Sequence, residues 1–175
     1  MWKPAQARNA SFYRGLSPLS GVPGGSRREA PASVDLAPTG DPFMSYIKQM
    51  FDTHPVNPSS DHAINIECIT ACYSCTEACN ACADACLGEK EVAQMIECIR
   101  DCNDCADVCL ATARIISRFT RTDFKLAGAQ LRACIQACQI CGATCESHGA
   151  KMGHCRVCAE ACRRCATACE SLLAQ

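Results

Sequence analysis

Cysteine is the residue that sets the chemistry of this chain, with 19 thiols among 175 residues. Their spacing says more than their number. Cys68, Cys72, Cys75, Cys79, Cys82 and Cys86 alternate gaps of four and three. The same rhythm recurs in three further runs: Cys98, Cys102, Cys105, Cys109; then Cys134, Cys138, Cys141, Cys145; then Cys155, Cys158, Cys162, Cys165, Cys169. No cysteine lies outside these runs. A four-three alternation is the heptad seam of an α-helix, so each run lines one helix face with sulfur.

Such a seam could cross-link, pack or bind metal. A disulfide framework is disfavoured by the odd cysteine count and by the lack of an apolar secretory segment. Neighbouring thiols on one helix face are also poorly placed to bridge one another. Packing alone is a poor explanation. Leu or Ile would bury more apolar area, at about 25 cal/mol per Å², and would resist oxidation. Ligation remains. Thiolate-only sites favour Cu(I), Zn(II) or iron–sulfur clusters. A Zn–Cys₄ site keeps two negative charges, and several stacked in a dry core would repel. Cu(I) accepts two or three thiolates, which can bridge, so about one ion per thiolate leaves the core nearly neutral. Multiple Cu(I) ions per chain are therefore expected on the nineteen cysteines. Cys68, Cys72 and Cys75 also match the spacing of a radical-SAM cluster motif. The fourfold repetition on helices makes that match accidental. No carboxylate pair, Ser/His/Asp set or phosphate loop is visible, so the chain does not read as an enzyme.

The elements that position the thiols follow from the register. Helices are predicted over about 61–87, 89–119, 123–148 and 153–173, preceded by a short amphipathic helix within 44–54 carrying Ile47, Met50 and Phe51. Ser59 or Ser60 is the expected N-cap of the first long helix, and Gly88 its C′ residue. Thr120-x-x-Asp123 is a weak capping-box match opening the third. Short connections force antiparallel neighbours. The predicted fold is thus all-α: an up-down-up-down four-helix bundle with a cysteine-lined core over residues 44–175. Residues 1–43 are rich in Pro, Gly, Ser and Ala without periodicity, and read as a disordered extension or leader. Lys3, Arg8, Arg14, Arg27 and Arg28 precede the first acid, Glu29. That pattern fits an organellar transit peptide, or equally a dispensable extension with Met44 as the true start. No apolar segment follows Arg27-Arg28, which disfavours twin-arginine export.

The two bundle ends differ. At one, the register continues into Ile116, Phe119, Phe124, Leu131 and Leu172, an apolar plug covered by Ile47, Met50 and Phe51. At the other it continues into Met95, His148 and Met152, with His154 beside Cys155. Thioether and imidazole are weaker Cu(I)-compatible ligands, so this end is the expected mouth. The alternative is that the methionines fill the bundle end and the histidines are loop residues. The net charge of −1 gives no bulk attraction to nucleic acid or anionic membrane, and no apolar run approaches a membrane span.

The repeated C-x₃-C-x₂-C-x₃-C phrase, the segment His154–Cys162 and the short preceding helix resemble the bacterial Csp type of cysteine-rich four-helix-bundle copper storage proteins, over about residues 44–175. The resemblance implies a bundle already folded without metal, often a homotetramer. It implies Cu(I) held inside by the cysteines, with Met95, His148, Met152 and His154 at the open end. The family has exported and cytosolic members, and without a convincing signal this chain looks like the cytosolic, cytoplasmic kind. A zinc or general soft-metal buffer and a copper-transfer partner are the competing readings.

Overall fold

The computed structural model describes residues 46–56 and 62–175. The expected extension over 1–43, Met44, and the caps at Ser59 or Ser60 lie outside the described residues. Five α-helices are described: α1 (Tyr46–Asp52), α2 (Ala63–Leu87), α3 (Ile96–Ile116), α4 (Phe124–Gly149) and α5 (Gly153–Leu173). No strand occurs among the described residues. Helix α2 packs on α3 and α5, and α4 packs on the same two, closing a four-helix ring. The short links 88–95, 117–123 and 150–152 impose the antiparallel order. The core is the axis of this ring. It holds all nineteen cysteines, each at most 2% exposed, flanked by Ala71, Ala83, Ala106, Ala113, Ala159, Ala166 and Ala168.

Several local expectations change. The helix predicted over 89–119 is interrupted: Val92–Gln94 forms a 3₁₀ turn, and α3 begins only at Ile96. Gly88 follows α2 with φ −83°, in the right-handed region, so it does not take the left-handed C′ role. Its N–H instead donates to the Ala85 carbonyl, and the Glu89 N–H donates to that of Cys86. At the start of α4, Asp123 is itself the N-cap, not the far member of a box opened by Thr120. Its backbone is extended, and its Oδ1 accepts from the N–H groups of Lys125 and Leu126, both at 3.0 Å.

One pole is closed by aromatic packing. Phe51 of α1 is buried and meets Phe119 edge-on, with ring centroids 4.3 Å apart; His62 lies 5.4 Å from Phe51 and 6.2 Å from Phe119. Ile116 and Leu131 are buried beneath, with Ile47, Phe119 and Leu172 partly buried against them. Two residues assigned to this plug are not in it. Met50 is 66% exposed, because Ile47 and Phe51, one turn apart, take the inner face of α1. Phe124 is 84% exposed, because as the first residue of α4 it stands at the rim of the pole.

Removing the Asp123 cap by D123A is expected to cost about 1 kcal/mol in anaerobic urea unfolding, whereas T120A stays within about 0.5 kcal/mol. Equal losses would restore the capping-box reading.

Candidate metal centre

The four seams bring sulfur into contact along the whole axis. At the aromatic pole, Cys68 and Cys72 lie 3.6 and 3.8 Å from Cys169, and Cys72 lies 3.7 Å from Cys165. Next, Cys109 sits 3.7 Å from Cys134 and 3.6 Å from Cys138. In the middle, Cys75 touches Cys79, Cys105, Cys138 and Cys162 at 3.8–4.0 Å. Cys79 touches Cys141, Cys158 and Cys162 at 3.7–3.9 Å. Cys102 does the same with Cys141, Cys145 and Cys158. Towards the opposite pole come Cys98–Cys145 at 3.6 Å, Cys86–Cys98 at 3.8 Å and Cys82–Cys155 at 3.9 Å. No disulfide forms, and all nineteen thiols are free.

This column offers overlapping four-sulfur sets, each compact enough to hold one metal ion. Examples are Cys72, Cys134, Cys165 and Cys169; Cys75, Cys105, Cys109 and Cys138; and Cys82, Cys98, Cys102 and Cys145. Because Cys75, Cys79, Cys105 and Cys162 occur in more than one set, a bound thiolate there can bridge. Acidity varies along the column. Burial pushes Cys86 up to about 12 and also raises Cys98 and Cys155. At the far end, hydrogen bonding with Cys169 and Cys72 lowers Cys68 to about 5. A dry column of thiolates cannot ionise throughout without counter-charge, so cations must replace the protons.

The pole opposite the aromatic plug carries different donors. His154 Nδ1 lies 3.5 Å from Cys82 Sγ and 3.4 Å from Cys155 Sγ, and Nε2 lies 3.1 Å from Glu89 Oε1. Met95 is fully buried in the same core, and Met152 packs against it half-buried. His148 is half-buried, and its buried Nδ1 has no hydrogen-bond partner. Of the four residues expected at this end, His154 is thus in direct contact with thiols.

Two relevant residues escaped the sequence reading, although the register contains both. Glu89 stands three residues beyond Cys86 and continues the seam as a carboxylate behind His154. Thr112 stands three residues beyond Cys109 and is fully buried. It donates to the Val108 carbonyl and accepts from Gln130 Nε2, so it ends the sulfur column on α3 as a satisfied polar group. The outer faces carry exposed ion pairs, Arg163–Glu146 and Arg164–Glu67, each of little energetic weight.

Burial works against charge on His154, but the hydrogen bonds to Cys82 and Glu89 outweigh it and raise its pKa above 6.5. The stability this contributes is fully present below the ordinary value and is lost as pH rises through the raised one. E89Q should lower the His154 titration midpoint, read by NMR on reduced, metal-free protein. An unmoved midpoint would show that the carboxylate does not act on the ring.

The description of the copper storage protein family, Csp, matches residues 61–174. The structure of Ccsp, a copper storage protein from Streptomyces lividans loaded with 10 copper equivalents, is similar at 46% identity and a TM-score of 0.71. The match covers 73% of this chain and 98% of that one. A structure described as copper loading to a cytosolic copper storage protein from the same organism, with five coppers, is 51% identical with a TM-score of 0.63. There the coverage is 64% of this chain and 93% of that one. No curated protein matches the chain. The family match spans the whole sulfur column, from before Cys68 to beyond Cys169, and on that ground the chain belongs to the copper storage protein family.

Proposed function

We propose that this protein stores copper as Cu(I) on the nineteen cysteine thiolates inside the bundle, and that it holds metal rather than catalysing a reaction. The observation that carries this is the column itself: nineteen free, buried thiols in sulfur–sulfur contact at 3.6–4.0 Å. Each Cu(I) displaces a thiol proton, and near one ion per thiolate the filled core is almost neutral. The sulfurs already stand close enough for one ion to engage two or three of them, so filling needs no refolding. Burial keeps the bound copper away from oxidants and from small thiols.

Met95, His148, Met152 and His154 receive the ion and pass it inward. The buried, unpartnered Nδ1 of His148 supports this assignment, as does His154, whose Nδ1 stands 3.5 and 3.4 Å from two thiol sulfurs. The opposite pole is blocked by Phe51 and Phe119. The protein works in the cytoplasm, as its Streptomyces lividans relative is described to do, and assembles as a homo-oligomer.

The decisive experiment is an anaerobic Cu(I) titration of reduced, metal-free protein against a competing chelator, with native mass spectrometry at the endpoint. Saturation near one ion per thiolate, with full helicity already present before metal, is expected. Saturation at one or a few ions, or tighter zinc binding at about four cysteines per ion, would end the storage reading.

Replacing Met95, His148, Met152 and His154 together by alanine should slow stopped-flow Cu(I) uptake and chelator-driven release while helicity persists. Unchanged rates would remove these residues from the uptake route.

A further inference from the structure

The histidine pole is chemically unlike the rest of the column. The interior sets named above offer four thiolates. Here the donors are Cys82 Sγ, Cys155 Sγ and His154 Nδ1, with separations of 3.9 Å between the sulfurs and 3.5 and 3.4 Å from sulfur to nitrogen. A tetrahedral zinc site has Zn–S near 2.3 Å and Zn–N near 2.0 Å, so its S–S edge is about 3.8 Å and its S–N edge about 3.5 Å. Three corners of such a tetrahedron are therefore already in place, and Cys82 is shared with the neighbouring set of Cys98, Cys102 and Cys145.

Glu89 completes the arrangement. In the neutral ring, its Oε1, 3.1 Å from His154 Nε2, takes the hydrogen bond of an Nε2–H tautomer, and in that tautomer the Nδ1 lone pair faces the two sulfurs. A carboxylate holding the far nitrogen of a ligating histidine is the usual outer partner of zinc. Charge then sorts the metals. Zn(II) on two thiolates and a neutral imidazole is neutral, whereas Zn(II) on an interior four-thiolate set carries two negative charges in a dry core.

We propose that Cys82, Cys155 and His154, oriented by Glu89, form a single Zn(II) site that closes the column when copper is scarce. Binding is proton exchange without redox change: Zn²⁺ and two thiols give a zinc dithiolate and two protons. Cu(I), softer and able to bridge thiolates, displaces the zinc on its way inward. The closing role rests on the storage reading; the zinc site does not.

The test uses the reduced full chain under anaerobic conditions, titrated with Co(II) as a spectroscopic probe and then with Zn(II) against a chromophoric chelator. The expected result is one tight equivalent with the spectrum of a tetrahedral mixed sulfur–nitrogen site, displaced by one Zn(II). E89Q should weaken Zn(II) by about 10–100-fold and keep the spectral type; H154A should abolish the mixed spectrum. A four-sulfur spectrum, several equivalent ions, or unchanged affinity in both variants would overturn the site. In a second arm, one equivalent of Zn(II) should slow Cu(I) uptake by the wild-type chain. Equal rates with and without zinc would overturn the closure. Failure to store Cu(I) at all would show in the zinc-free control, while the Co(II) arm would still report on the site.

Discussion

Sulfur–sulfur contact across four helices is the constraint on which the rest of this structure depends. A cysteine reaches only one heavy atom past Cβ. For thiols to touch even across the diagonal of the ring, as Cys75 and Cys138 do at 4.0 Å and Cys79 and Cys141 at 3.9 Å, the four backbones must lie close to one axis. The flanking positions answer that demand with alanine. Gly142 goes further: a Cβ there would stand 3.4 Å from the Cβ of Cys162, already in contact. A seam of leucines would push the helices apart and open the column. The bundle thus forgoes large apolar side chains in its centre and relies on many close contacts between small polarizable groups.

The same constraint explains why the ends matter. A sulfur-lined axis has two openings, and the chain treats them in opposite ways. At one, the rings of Phe51 from α1 and Phe119 from the link after α3 meet, with the His54 and His62 rings packed beside them. At the other, imidazole, carboxylate and thioether replace thiol while the seam geometry continues. The polarity of the column therefore comes from a change of residue type at fixed register.

Much of this was legible in the sequence because a strict period leaves few freedoms. Once the four-three alternation names the inward face, helix identity, antiparallel order and the full set of buried thiols follow. The misreadings cluster where the period stops. Gly88 was assigned a left-handed turn on residue type, but the chain leaves α2 through right-handed backbone and a 3₁₀ turn. The register places Phe124 inside and the i, i+3, i+4 pattern places Met50 there, yet Phe124 stands at a helix end with few neighbours and Met50 lies on the outer face of α1. Asp123 acts through its own carboxylate, which spacing to Thr120 does not reveal. Glu89 was passed over for the opposite reason. It keeps the register, but an acid beyond a thiol seam looks like a solvated helix start until its histidine partner from α5 is seen across from it.

The place where Thr112 halts the sulfur column has a consequence for how such proteins scale. Capacity here is set along one dimension, by the number of turns over which cysteine holds the seam, while the two ends are fixed fittings. Inserting one heptad into each helix would lengthen the axis by about 10 Å and add about eight thiols without altering either terminus. Such a container grows by whole increments, like beads added to a rod. Its metal content per unit mass then climbs towards a ceiling fixed by the heptad, as the end fittings become a smaller part of the chain.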